Sequence, residues 1–149
     1  MKPDKMKKII FIFTVVFFSS IITGYSQNQK GCGGNQTTIG KNKCRIGIVL
    51  YSNDPETVWN ALRFANYSIQ EGDTVSVFLL GKGVEAPDII SKDFDVKQKM
   101  NDFAQNGGKI MACGTCLQLR KSEGSKLCPV STLSDLYEMI KSNAKILTF

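Results

Sequence analysis

Two thiols three residues apart, in Cys113-Gly114-Thr115-Cys116, are the strongest indication of reactivity in this chain. A cysteine reacts as its thiolate, and its pKa falls from about 8.5 where a helix start offers unpaired N–H groups and the positive end of its dipole. Apolar Ile110, Met111 and Ala112 read as a short buried strand before the turn, and Leu117, Leu119 and Arg120 as a helix after it. In a parallel α/β sheet such junctions line the carboxyl edge, where ligands bind. Cys113 is therefore the expected nucleophile and Cys116, one turn on, its neighbour. Cys128, at the exit of the next element, is a candidate secondary thiol, and Arg120 a candidate electropositive neighbour.

Composition narrows what else the chain can do. It contains no histidine, which excludes His-based triads, His metal ligands and imidazole bases. Met1 to Lys8 is basic and Ile9 to Thr23 is apolar or small, a run too short for a membrane span and of the length of a signal-peptide core. Cleavage after Ser26 is expected, giving a signal over residues 1–26, a flexible leader over 27–43 and one domain over 44–149. An uncleaved anchor is the competing reading. Losing four lysines and one aspartate with the signal lowers the net charge from +6 to +3. That is a mildly basic surface without the clustered stripe of a nucleic-acid groove. The five cysteines are an odd number, so in an exported chain at least one is free or pairs between chains, and Cys32 and Cys44 have no assigned partner.

The scaffold around the thiols reads in chain order. Arg45 to Tyr51 is a continuous apolar run, as in a strand covered on both faces. Asn53 or Asp54 can cap the next helix, Pro55 suits its first turn, and Val58, Leu62, Ala65 and Ile69 form its apolar stripe, ending near Gly72. Thr74 to Leu80 is a second strand, and after it comes the Gly81-Lys82-Gly83 turn, which lacks phosphate-loop spacing. Val84 to Asp93 reads as an irregular crossing or short helix. Asp95 caps a helix with Val96, Met100, Phe103 and Ala104 inward, closed by Gly107-Gly108. After the cysteine turn, Lys126 to Val130 is a short fourth strand or its exit. Thr132 and Asp135 cap a helix carrying Leu133, Leu136, Tyr137 and Ile140, and Lys145 to Phe149 is the last strand. Such alternation predicts an α/β domain of three layers, α/β/α.

The Tyr51-Ser52-Asn53-Asp54 turn, Gly81-Lys82-Gly83-Val84, Gly107-Gly108 before Ala112-Cys113-Gly114-Thr115-Cys116, and the closing Ala144 to Phe149 resemble the DsrE/DsrF-like family over roughly Lys43 to Phe149. The resemblance implies a five-stranded parallel sheet between helices and homo-oligomers, often trimers or hexamers. Some members relay sulfur as a cysteine persulfide, on a cysteine that follows the third strand and corresponds to Cys113. By that resemblance the chain is expected to be a sulfur carrier or sulfurtransferase needing no cofactor. Its partners would be sulfur donor and acceptor proteins or small sulfur compounds, with no nucleic acid and, once the signal is removed, no membrane. The signal and the additional Cys116 depart from the cytoplasmic one-thiol relays.

Two other readings stay open. Cys-Gly-Thr-Cys at a strand-to-helix turn also suits an exported thiol–disulfide redox protein. Alternatively the cysteines are structural in a non-catalytic oligomeric binding module. Cys113, Cys116 and Cys128 alone are too few for a closed zinc site. Ser52, Asn53 and Asp54 after the first strand, Gly81 and Gly83 after the second, and Gly114 and Thr115 in the turn itself are expected to line the pocket.

Overall fold

The structure is a computed structural model that describes residues 43–149. The expected signal, its cleavage near Ser26, most of the leader and Cys32 lie outside the described residues. Within them, β1 (Arg45–Leu50), β2 (Thr74–Leu79), β3 (Lys109–Cys113), β4 (Val130–Ser131) and β5 (Lys145–Thr148) form one parallel sheet in the order β4-β3-β2-β1-β5. The chain winds outward from β1 to β4 and then crosses back to place β5 on the far side of β1. Helices α1 (Pro55–Gln70), α2 (Val96–Gln105), α3 (Gly114–Leu119) and α4 (Leu133–Ser142) connect the strands, with a 3-10 segment over Gly81–Asp88. The result is the three-layer α/β/α architecture.

Local chemistry explains where the elements begin and end. Asp54 caps α1 by accepting from Thr57 N–H at 2.8 Å and Thr57 Oγ1 at 2.7 Å, and Asp95 caps α2 through Gln98 N–H at 2.8 Å. Thr132 and Asp135 form a reciprocal capping box on α4. Chain reversals after α1 and α2 use Gly72 at φ 97° and Gly107 at φ 88°, a region glycine enters without a Cβ penalty.

The two faces of the sheet are unequal. Ile46, Ile48, Leu50, Val75, Val77, Leu79, Ile110 and Ala112 point into the larger core with α1, α2 and Leu117 of α3. Alternate residues Val49, Phe78 and Met111 form a smaller cluster with Leu136 and Met139 of α4 on the other face, with Leu80 and Cys113 packed against it. Here the expected α4 stripe needs correction. Leu136 is buried, but Leu133 is 76% and Tyr137 58% exposed, and Ile140 is exposed as well. The second face is narrow because β1 and β2 contribute Gly47 and Ser76 there, so one pair of α4 residues covers it.

Asn66, the start of a glycosylation-type Asn-Tyr-Ser triplet, is buried and donates to the carbonyls of Leu62 at 2.9 Å and Lys99 at 3.0 Å, tying α1 to α2. It is therefore not available as a glycan acceptor in the folded domain.

Candidate functional site

Parallel pairing brings the carboxyl ends of β1, β2 and β3 side by side, with Leu50 opposite Leu79 and Leu79 opposite Ala112. The segments leaving these three strands therefore collect at one edge. After β3 the chain turns directly into α3, and Cys113 is both the last strand residue and the residue that precedes the first helical turn. Its side chain is half-buried, Thr115 is exposed, and Cys116 is half-buried. Gly114 permits the turn to lie against β4, since a Cβ there would stand 2.9 Å from Val130 Cγ1.

Cys116 points across to the end of β2. Its sulfur accepts the Gly81 N–H at 3.2 Å. Gly81 adopts φ 55°, the left-handed region, and two residues later Gly83 brings the 3-10 segment so close to β1 that a Cβ would collide with the Leu50 carbonyl. Burial pushes the Cys116 thiol above its ordinary value, and its hydrogen bond to Cys113 and the proximity of that group push it further. The Gly81 N–H and the Arg120 charge act in the opposite direction without cancelling these effects. Burial and the neighbouring Cys113 together thus favour the protonated form of Cys116.

Sequence reasoning missed Glu85. Its carboxylate accepts from Arg120 Nε through one oxygen and from Asn53 Nδ2 through the other at 2.8 Å, and these two donors hold its pKa below the ordinary glutamate value. Arg120 also donates from Nη1 to the Cys116 carbonyl at 3.2 Å. Arg120 is therefore an anchored residue joining α3 to the 3-10 segment and, through Glu85, to the end of β1. Of the other residues expected to line a pocket, Ser52 Oγ accepts from Asp54 N–H at 3.0 Å and Asp54 serves the α1 cap. Both support the local turn.

Cys128 is somewhere else. It is 2% exposed, its N–H donates to Ser125 Oγ at 3.0 Å, and burial raises its thiol to about 11. It lines a small cavity of about 120 Å³ with Leu117, Asp88 and Ser122 to Ser125. All four described cysteines are free thiols. Among the described residues, no group of three or more His, Cys, Asp or Glu side chains could hold a metal ion.

The arrangement matches known proteins along the whole domain. A family model described as the DsrE/DsrF-like family matches residues 45–149. Uncharacterized protein MJ0989 of Methanocaldococcus jannaschii is 29% identical over 103 residues, which is 63% of this chain and 88% of that protein. Uncharacterized protein MK0008 of Methanopyrus kandleri is 26% identical over 103 residues, 63% of this chain and 83% of its own length. Among solved structures, the ychN protein from E. coli superposes with a TM-score of 0.63 at 19% identity, covering 72% of this chain and 100% of that one. A conserved protein of unknown function, BT1422 from Bacteroides thetaiotaomicron, gives 0.58 at 22% identity, with coverages of 70% and 94%. At these identities the structural matches establish the fold.

Proposed function

Because this chain belongs to the DsrE/DsrF-like family, we propose that it is a sulfur carrier in which Cys113 is loaded as a persulfide. The observation that carries this reading is the position of Cys113: half-buried at the carboxyl edge of β3, at the turn into α3. In the loading step the Cys113 thiolate attacks the outer sulfur of a donor persulfide. A new S–S bond forms on Cys113, the donor's own S–S bond breaks, and the donor leaves as a thiolate that takes up a proton. Attack needs an accessible sulfur, and onward transfer needs the same access for an acceptor.

The same proposal includes export, supported by the basic run and apolar stretch at the start of the sequence, and assembly as a homo-oligomer. Exposed Leu133, Tyr137 and Ile140 along α4 are compatible with packing between subunits. A second reading, thiol–disulfide exchange, is favoured by one observation, the hydrogen-bonded proximity of Cys113 and Cys116. Intact-mass measurement after incubation with glutathione persulfide separates the two. With Cys116→Ser introduced so that loaded sulfur is retained, the carrier reading predicts that the protein and its Cys128→Ser variant load sulfur through Cys113 and that Cys113→Ser does not. Loading that survives Cys113→Ser would refute it. Oxidation of the Cys113–Cys116 pair in wild type, without sulfur ever reaching Cys113, would favour redox exchange instead.

A further inference from the structure

Cys116 is held by more of the structure than a simple carrier requires. The Gly81 N–H reaches its sulfur from the end of β2, and Arg120 Nη1 holds its carbonyl. Arg120 is in turn fixed by Glu85, and Glu85 by Asn53 from the end of β1. Three segments distant in sequence thereby bear on one residue, Gly81 on its sulfur and the Asn53–Glu85–Arg120 chain on its carbonyl, and that sulfur neighbours Cys113. A carrier thiol has no use for such a neighbour, because an exposed sulfur can receive and pass on its cargo alone. A thiol that attacks the sulfur beside it does need a fixed line of approach and donors that stabilise it once its proton has gone.

We propose that Cys116 is a resolving thiol, held in line by Gly81 and the Asn53–Glu85–Arg120 chain, which discharges the Cys113 persulfide as free sulfide; this rests on the carrier reading above. In the step, Cys116 loses its proton to solvent and its thiolate attacks the inner sulfur, the one bonded to the Cys113 Cβ. The persulfide S–S bond breaks, a Cys113–Cys116 disulfide forms, and the outer sulfur departs as hydrosulfide. The two cysteines are oxidised by two electrons and the sulfane sulfur is reduced by two, so no outside oxidant is needed. An external dithiol resets the pair by supplying two electrons and two protons and becoming a disulfide itself. Positions three apart on a helical turn are near enough for the bond. The Gly81 N–H and the Arg120 charge favour the attacking thiolate, opposing the burial that otherwise keeps Cys116 protonated. Glu85 is a positioning residue: it touches neither sulfur and acts through Arg120.

The test follows one turnover with glutathione persulfide and no other thiol, scoring sulfide released per Cys113 loaded. Wild type is expected to release sulfide and end as the Cys113–Cys116 disulfide. Cys116→Ser is expected to stay at the persulfide, with sulfide appearing only on addition of dithiothreitol. In Glu85→Gln the ratio of release to loading should fall on the order of tenfold, since small misplacements of a reacting group cost this much or more. A purely structural defect would lower loading and release together. Release from Cys116→Ser at the wild-type rate, or an unchanged ratio in Glu85→Gln, would overturn the proposal. A second arm loads Cys113 with dithiodipyridine and follows loss of the adduct from the Cys113 peptide. If wild type takes up no sulfur but clears this adduct in a Glu85-dependent way, the carrier reading fails and the positioning of Cys116 stands. If the adduct persists equally in wild type and Cys116→Ser, the positioning fails as well.

Discussion

Cys116 and Cys128 both pack with the larger core, and burial raises the thiol pKa of each, but their surroundings assign them different work. Cys128 sits in a loop that bonds to itself, with Ser125 on its N–H and the Asp88 charge further disfavouring a thiolate. Cys116 meets a backbone N–H, an anchored guanidinium and another thiol. Burial alone leaves a cysteine inert; burial with donors and a sulfur partner makes one that can be switched.

The difference can be broken most severely at Cys113. Made in a Cys116→Ser background, which retains the loaded sulfur, Cys113→Ser should abolish sulfur uptake from glutathione persulfide, whereas Cys128→Ser should leave it intact; intact mass spectrometry reads both. Next comes reactivity toward iodoacetamide. With its thiol at about 11, Cys128 is only about one part in a thousand thiolate at pH 8, and it is shielded as well. Peptide mapping should find it labelled at least about a hundredfold more slowly than Cys113 in the native protein, with the gap closing in urea. Comparable native rates would erase the distinction.

A smaller effect appears in alkaline stability. Cys128 titrates near 9.0 unfolded and about 11 folded, so its contribution is complete below pH 9 and is lost as pH rises toward 11. Urea unfolding of wild type should lose about 2 kcal/mol through this term across that window, and Cys128→Ala should lack it. Cys116 acts in the same direction in both proteins and cancels from the comparison. The smallest effect is at the acid end. Arg120 and Asn53 hold the Glu85 carboxyl below 4.5, so its stabilisation is complete above that pH and disappears as pH falls through the lower folded value. The stability gap between wild type and Glu85→Gln should narrow in acid, while Asp54 and Asp135, also lowered, affect both proteins alike. A gap independent of pH would mean that Glu85 does not hold Arg120 as a carboxylate.

Much of the scaffold was legible because it is local. Apolar runs marked β1 to β3, and Asp54, Asp95 and the Thr132–Asp135 box marked helix starts, since a cap acts within three residues of itself. The strand-to-helix placement of Cys113 could be read the same way. Glu85 could not, because its partners lie 32 and 35 residues away and it stands in an irregular stretch with no period. Neither could the exposure of Leu133 and Tyr137: a stripe tells which way a helix faces but not how wide a surface awaits it, and Gly47 and Ser76 make that surface small.

Peptide mapping of the sulfur itself decides which thiol carries the cargo. After exposure to glutathione persulfide and trapping with iodoacetamide, Cys116→Ser should carry a trapped persulfide on the peptide containing Cys113, with Cys44 and Cys128 recovered as plain thiols. A trapped persulfide on Cys44 or Cys128 with Cys113 unmodified would contradict the account.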